Sequence, residues 1–169
     1  GYGFIGGGSN NKIDCRNYAV IAGGAGNINC GFTSFIGGGN SNNINIVNSG
    51  TIGGGLGNSI SGNYSTIGGG QGNLASGNYA TISGGYQNTV SLNFSTISGG
   101  YQNTVSNIYS AIVGGYRNIN NAISSTISGG CCNTITCSGY SFIGAGQSNK
   151  IQGWNYSPGN NQNSFIGNG

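Results

Sequence analysis

The chain has 169 residues, of which 38 are glycine and 28 are asparagine, but it carries only four basic residues and one acidic residue. Glycine and asparagine weaken helices, which excludes a helical globule, and recurrent isoleucine with ten tyrosines and six phenylalanines argues against a disordered chain. The formal net charge of +3 is scattered singly and no apolar run approaches ~20 residues, so we expect neither nucleic-acid binding nor membrane insertion in this segment.

A tandem repeat of 15 or 16 residues runs from about residue 1 to residue 152. One isoleucine marks each coil, and we call it the anchor; the anchors are Ile5, Ile21, Ile36, Ile52, Ile67, Ile82, Ile97, Ile112, Ile127 and Ile143. An asparagine follows each anchor by six residues; these are Asn11, Asn27, Asn42, Asn58, Asn73, Asn88, Asn103, Asn118, Asn133 and Asn149. Each coil also has a glycine three residues after its anchor, preceded by a second glycine in every coil except the tenth, which has Ala145. This regularity indicates stacked copies of one structural unit.

Each coil contains two short segments in which polar and apolar residues alternate, as in residues 81–83 and 89–91. The alternation predicts half-buried strands, and the Gly-Gly-x-x-Asn between them predicts a turn rich in residues that tolerate positive φ. The second strand's apolar residue follows the anchor by seven or eight positions; these residues are Ile13, Ile28, Ile44, Ile60, Leu74, Val90, Val105, Ile119, Ile135 and Ile151. We therefore predict an all-β fold, a parallel β-solenoid or β-roll with two short strands per coil of about 15 residues and about ten coils.

The repeated asparagine has two interpretations. In the first it is a turn former whose side-chain amide bonds to the same amide in the next coil, so that the column is structural. In the second the column binds a ligand. We favour the structural interpretation, because even the least regular coils keep the residue.

The repeat is interrupted after the tenth coil. The next anchor is Ile166, and residues 164–167 repeat the Ser-Phe-Ile-Gly of residues 141–144. We expect residues 153–163 to form a loop inserted into the stack and residues 164–169 to begin another coil, as in a fragment of a longer fibre. The loop holds Trp154 and Tyr156, which are candidate binding residues; the alternative, which we favour, is that they form a covering flap or a packing bridge to the next segment.

Five cysteines and three glycosylation sequons complete the candidate sites. Cys15 and Cys30 lie one coil apart at nearly matching positions, so stacking would allow a disulfide between them, whereas Cys131, Cys132 and Cys137 share one coil. A bond between Cys132 and Cys137 would leave one thiol free or linked to another chain, and buried reduced cysteines are the alternative. The sequons begin at Asn63, Asn93 and Asn155.

The chemistry that most enzymes use is missing. The chain has no histidine, no glutamate and a single aspartate, so it lacks the paired carboxylates of solenoids that cleave polysaccharides. We predict no enzymatic activity, no cofactor and no metal site.

Units such as residues 79–91, Tyr-Ala-Thr-Ile-Ser-Gly-Gly-Tyr-Gln-Asn-Thr-Val-Ser, resemble the head repeats of YadA-type trimeric autotransporter adhesins. The resemblance covers about residues 1–152, although units of that family are commonly one residue shorter and lack the paired glycine. It implies a left-handed β-roll, a side-by-side homotrimer, and an extracellular adhesive fibre on the surface of a cell that contacts a host surface protein or glycan. Viral or phage fibres with similar repeats would suit the pattern as well.

Residues 88–91, 103–106 and 133–136 are also similar to the Asn-x-Val-x-Gly repeats of grass ice-recrystallisation inhibitors. That resemblance implies a flat threonine and serine face that binds ice. Ala111 and Val113 interrupt one threonine column, and we expect Ala75 and Asn120 to interrupt the other. We therefore rank the fibre above the ice-binding alternative.

Two further columns suggest contacts between chains. Aromatic residues lie three positions before several anchors, as at Tyr64, Tyr79, Phe94, Tyr109 and Tyr140, and contiguous surface aromatics suggest burial against a partner. They would alternatively fold back over the edge of their own coil. The paired glycines would let a neighbouring backbone approach closely, or would simply serve the turn.

Overall fold

The computed structural model describes residues 2–14, 18–137, 139–153 and 163–169, and all of its regular elements are short β-strands. Strands of the first sheet are β1 (Phe4–Ile5), β3 (Val20–Ile21), β5 (Phe35–Ile36), β7 (Thr51–Ile52), β9 (Thr66–Ile67), β11 (Thr81–Ile82), β13 (Thr96–Ile97), β15 (Ala111–Ile112), β17 (Thr126–Ile127), β19 (Phe142–Ala145) and β21 (Phe165–Asn168). Strands of the second sheet are β2 (Lys12–Ile13), β4 (Ile28–Asn29), β6 (Asn43–Ile44), β8 (Ser59–Ile60), β10 (Leu74–Ala75), β12 (Thr89–Val90), β14 (Thr104–Val105), β16 (Ile119–Asn121), β18 (Thr134–Thr136) and β20 (Lys150–Gln152). In these residues we find no helix that could cross a membrane.

Each coil contributes one strand to each of two parallel sheets. The odd-numbered strands form an eleven-stranded sheet and the even-numbered strands form a ten-stranded sheet, both in coil order. Anchors pair with anchors, as Ile82 does with Ile97. The predicted parallel β-solenoid with two strands per coil is therefore confirmed. We call the turn from the first sheet to the second turn one, and the turn back to the first sheet turn two; they lie on opposite edges of each coil.

A single hydrophobic core fills the space between the sheets. The anchors from Ile21 to Ile143 are fully buried, and they form one cluster with the inward residues of the second sheet. One coil alone could not bury its two inward side chains, so burial depends on the neighbouring coils. At about 4.7–4.8 Å per coil, ten coils form a rod roughly 45–50 Å long.

The inward residue of the second sheet follows the anchor by eight positions in every coil. The pattern predicted that the apolar residue of each second strand points into the core. This prediction was wrong for Ile28, Leu74 and Ile119, which follow their anchors by seven positions and point outward. Ile28 and Ile119 are 38% and 43% exposed. The inward residues of those coils are Asn29, Ala75 and Asn120, all fully buried. A shift of one residue moves a side chain to the opposite face of a sheet, so an apolar residue at either position fits the same pattern.

The two inward asparagines are accommodated by hydrogen bonds to backbone groups near turn two. Asn29 donates from Nδ2 to the carbonyl of Val20 at 3.1 Å. Asn120 donates from Nδ2 to the carbonyl of Ser125 at 2.7 Å and to that of Ala111 at 3.2 Å. Throughout the described chain, every buried side-chain nitrogen and oxygen has a hydrogen-bond partner.

The last strand rejoins the stack. Phe165 pairs with Phe142 and Ile166 with Ile143, so β21 continues the first sheet. Of the expected inserted loop, residues 154–162 lie outside the described residues, and with them Trp154, Asn155 and Tyr156. The binding role of that loop stays a prediction.

Candidate interaction surfaces

The repeated asparagine of turn one joins three consecutive coils. Asn88 donates its backbone N–H to Oδ1 of Asn73 at 2.9 Å, and its own Oδ1 accepts the backbone N–H of Asn103 at 2.9 Å. Its Nδ2 donates to the carbonyls of Gly84, in the same turn, and Gly100, in the next coil, at 3.0 and 2.9 Å. The side chain is fully buried.

The same arrangement recurs along the rod. Backbone N–H to Oδ1 distances between successive asparagines are 2.9–3.0 Å from Asn11 to Asn149. Direct amide-to-amide bonds accompany some of them, as between Asn73 and Asn58 at 3.1 Å. The main link is therefore from backbone to side chain, and this asparagine ladder leaves no amide in the buried part of the column to hold a ligand.

The glycine three residues after each anchor is sterically obligatory. Gly85 has a φ of +95°, and a Cβ there would overlap the carbonyl oxygen of Gly100 and come within 2.6 Å of Nδ2 of Asn88. The equivalent glycines from Gly8 to Gly146 have φ between +86° and +107°. These residues serve the turn and the ladder.

The glycine two residues after each anchor, directly before the obligatory one, has open space around it. This open glycine column comprises Gly7, Gly23, Gly38, Gly54, Gly69, Gly84, Gly99, Gly114 and Gly129. A Cβ on any of them would meet no heavy atom closer than 3.9 Å, and Ala145 occupies the same position in the tenth coil. For most of the column the fold of one chain therefore does not require glycine.

Turn two carries a stack of aromatic rings on the surface. The rings of Tyr64, Tyr79, Phe94 and Tyr109 are nearly parallel, with successive centroids 4.9–5.2 Å apart. Each of these side chains is about half exposed. Because each ring covers the faces of its neighbours, the edges of the rings and the phenolic hydroxyls form the accessible surface.

A second asparagine ladder, which we did not predict from the repeat, supports this aromatic stack. The backbone N–H groups of Asn48, Asn63 and Asn78 donate to Oδ1 of Asn63, Asn78 and Asn93, each at 2.8 Å. The Ser-Gly-Asn-Tyr motif at residues 61–64 and 76–79 was the available signal. The ladder includes two of the sequon asparagines, and the hydroxyl of Ser65, which completes the first sequon, is buried.

Turn one carries a second aromatic column beside a polar one. Tyr86, Tyr101 and Tyr116 stack at 4.9 and 5.1 Å between centroids. Arg117 donates from Nε to Oε1 of Gln102 at 2.8 Å, and its guanidinium lies 4.9 Å from the centre of the Tyr116 ring. This column therefore presents a mixed aromatic and polar surface.

The outward face of the first sheet carries a run of threonines in register. Thr51, Thr66, Thr81 and Thr96 pair successively along the sheet. The column ends at Phe35 on one side and at Ala111 on the other. In the second sheet, Thr89 and Thr104 are flanked by the outward residues Leu74 and Ile119. We expected Ala75 and Asn120 to interrupt the threonine column of the second sheet. That expectation was wrong, because both side chains point into the core.

The cysteines of the ninth coil are thiols. The sulfurs of Cys131 and Cys132 lie 3.0 Å apart, and the side chains of Cys132 and Cys137 are exposed. The hydrogen bond with Cys132 raises the pKa of Cys131, as do partial desolvation and the charge of Cys132, whereas the positive charge of Arg117 acts in the opposite direction. Cys15 lies outside the described residues, so its expected bond with Cys30 stays a prediction. The expected bond between Cys132 and Cys137 is not formed in the structure.

No protein-family model matches the chain, and no curated protein shows significant similarity to it. Within the described ranges, no three histidine, cysteine, aspartate or glutamate side chains come together in a way that would hold a metal ion.

Proposed function

We propose that this chain is a segment of an extracellular structural and adhesive fibre, on the surface of a cell or virion, whose chains associate side by side as a homotrimer. The open glycine column is the observation that carries the proposal. Gly54 and Gly114 have no steric need to be glycine within one chain, since no heavy atom lies within 4 Å of an added Cβ. Close approach of a second backbone would supply that need.

The aromatic edge of turn two supplies a surface of suitable size. Tyr2, Tyr18, Tyr64, Tyr79, Phe94, Tyr109 and Tyr140 are 48–81% exposed and follow the rod axis. Half-exposed aromatics of about 200 Å² each would contribute roughly 700 Å² together, close to the ~800 Å² that each partner buries in a standard interface. Residues 61–110, which include the four stacked rings of turn two, contain no charged residue, and charged residues are depleted in the core of an interface.

The two surfaces lie on opposite edges of the coil, which favours a ring. If the aromatic edge of one chain packs on the open glycine column of the next, the contact is heterologous, and heterologous contacts close into rings when the rotation permits. The three-chain ring is the arrangement that the resemblance to adhesin head repeats implies. All chains share the same axial repeat, so the contact would recur at successive coils wherever turn two carries an aromatic residue, as it does from Tyr64 to Tyr109.

The association state tests this proposal. We expect the chain to sediment with three times the 16.9 kDa mass of one chain. Replacing Gly54 and Gly114 with Gln should give a folded monomer, whereas replacing Thr66 with Gln on the face of the first sheet should leave the trimer intact. A wild-type monomer at high concentration, or a trimer unaffected by the glycine substitutions, would contradict the proposal.

Adhesion requires a separate experiment, because the trimer and the ligand are independent parts of the proposal. The expected partners are a host surface protein or a glycan. Since the rings of the aromatic stack cover one another, we expect any glycan to contact ring edges and hydroxyls. Beads coated with the folded chain should adhere to cell monolayers more than beads coated with the heat-denatured chain; equal adhesion would contradict an adhesive role for this segment.

Ice binding is the second candidate, and the four threonines in register support it. Thr51, Thr66, Thr81 and Thr96 repeat in register along the outward face of the first sheet. Ice recrystallisation should then be inhibited at micromolar concentration, and replacing Thr66 and Thr81 with Leu should abolish the inhibition. Growth of ice grains at the buffer rate would exclude this candidate without affecting the fibre proposal.

A further inference from the structure

The ninth coil presents two thiols at one corner of turn one. Sγ of Cys131 and Sγ of Cys132 are 3.0 Å apart; Cys131 is partly exposed and Cys132 is exposed. Cys131 follows Tyr116 in the aromatic column, and Cys132 follows Arg117 in the polar column. The pair lies on turn one, two residues beyond Gly129 of the open glycine column.

Turn one brings adjacent side chains together in several coils. Cys132 has a φ of +61°, and this left-handed conformation interrupts the alternation that would place neighbouring side chains on opposite faces. In the eighth coil the same two positions place the guanidinium of Arg117 over the ring of Tyr116. In the third coil, Ser41 donates to Oδ1 of Asn40 at 2.6 Å. The proximity of the thiols therefore follows from the backbone of the turn.

That backbone is held by the neighbouring coils. The N–H of Cys132 donates to the carbonyl of Tyr116 at 2.8 Å, and the carbonyl of Cys131 accepts the N–H of Ser148 at 2.9 Å. Both polar groups of the peptide bond between the cysteines are thus engaged. The thiols are presented by a fixed support rather than by a flexible loop.

This geometry disfavours a disulfide between the pair and favours chelation. Consecutive Cα atoms are about 3.8 Å apart, which is shorter than the ~4.4–6.8 Å that disulfides span. A linear sulfur–metal–sulfur arrangement with bonds of about 2.3 Å would require sulfurs about 4.6 Å apart. Sulfurs at 3.0 Å fit a centre that binds two thiolates in a bent geometry.

We propose that Cys131 and Cys132 form a chelating site for trivalent arsenic compounds and related soft, thiophilic centres with pyramidal coordination. With an organic arsenous acid, two As–O bonds break and two As–S bonds form. The two thiol protons leave with the hydroxides as two molecules of water, and no atom changes oxidation state. Two sulfurs and the organic group complete the coordination of arsenic, so no third protein ligand is needed.

Native mass spectrometry of the reduced full chain with phenylarsine oxide tests the site. We expect one tightly bound arsenical per chain. Replacing either Cys131 or Cys132 with Ser should weaken binding by at least about tenfold, because the second As–S bond forms at high effective concentration. The matched control Cys137→Ser, in the same coil, should leave binding unchanged. Binding that survives the double replacement of Cys131 and Cys132, or that falls equally with Cys137→Ser, would overturn the proposal.

Moving the two cysteines to the same positions of another coil tests whether binding depends on the geometry of the turn or only on the presence of two thiols. In a chain with Cys131→Ser and Cys132→Ser, the substitutions Tyr116→Cys and Arg117→Cys should restore binding one coil away. A short peptide spanning residues 129–134 should bind at least about tenfold more weakly than the folded chain. Failure of the transplanted pair in a chain with an unchanged circular dichroism spectrum, or equal binding by the peptide, would show that the fold does not organise this site.

Discussion

Asn88 donates from its side-chain amide to the carbonyl oxygen of Gly100, one coil further along the rod, at 2.9 Å. The same side chain also bonds to Gly84 and accepts from Asn103, so three hydrogen bonds depend on it. We expect Asn88→Ala to lower the free energy of unfolding by roughly 3 kcal/mol, since each buried bond contributes about 1 kcal/mol. Urea unfolding followed by circular dichroism measures the change.

Asn88→Asp is a sharper version of the same test. The carboxylate keeps the acceptor for Asn103 but replaces the donor that faces two carbonyl oxygens. We therefore expect this nearly isosteric change to destabilise the rod at least as much as Asn88→Ala at neutral pH. Equal stability of Asn88→Asp and the parent chain would contradict the described ladder.

Gly114 and Gly115 are consecutive in sequence and should respond in opposite ways to the same substitution. A Cβ on Gly115 would overlap the carbonyl oxygen of Gly130 at a φ of +98°, whereas a Cβ on Gly114 would meet nothing within 4 Å. We expect Gly115→Ala to cost at least about 2 kcal/mol and Gly114→Ala to change the stability by less than about 0.5 kcal/mol. Thermal unfolding of the two variants, compared at a concentration where the parent chain is monomeric, tests the contrast.

Ile119 and Ile135 occupy adjacent coils of the second sheet, but only Ile135 points inward. Ile135 is fully buried, while Ile119 is 43% exposed. Ile135→Ala should cost about 2–5 kcal/mol and Ile119→Ala well under 1 kcal/mol. A large cost at Ile119 in the monomer would show that the inward position follows the anchor by seven residues in that coil.

The pKa of Cys131 is raised first by its hydrogen bond with Cys132, and the charge of Cys132 adds to the shift. Cys132→Ala removes both effects, so the pKa of Cys131 should fall and more thiolate should be present at a given pH. Cys131 should then react faster with iodoacetamide at mildly alkaline pH, and its rate profile should shift to lower pH. Peptide mapping by mass spectrometry measures the rate, and Cys137→Ala, which should leave it unchanged, is the control.

The spacing of the anchors was sufficient to predict the solenoid, because burial of one isoleucine per coil demands a regular stack. The same reasoning failed for the second sheet. Outward Leu74 is apolar beside inward Ala75, and inward Asn29 is polar but bonds to the carbonyl of Val20. Hydropathy alone could not distinguish the two faces in those coils, since a hydrogen bond to the backbone compensates for a polar inward residue.

The chemistry of turn one was also only partly predictable. The pairing of glycines was visible in the sequence, but the separate roles of Gly84 and Gly85 depend on the φ of Gly85 and on the position of the Gly100 carbonyl. The proximity of Cys131 and Cys132 likewise depends on the positive φ of Cys132, which is unusual for a residue other than glycine, asparagine or aspartate. Such features follow from tertiary hydrogen bonds that no local pattern encodes.

The parallel pairing of every coil with the next has a mechanical consequence. The hydrogen bonds that join coils run along the rod, and each coil contacts only its neighbours. The contacts between coils therefore lie in series, and tension applied between the ends of the rod acts on all of them until the weakest one separates. A coil that detaches would release about 15 residues, or roughly 50 Å of extended chain, in place of about 4.8 Å of rod. A fibre of such coils would lengthen in steps of about ten times the thickness of one coil and would absorb a sudden pull while the remaining coils stay folded.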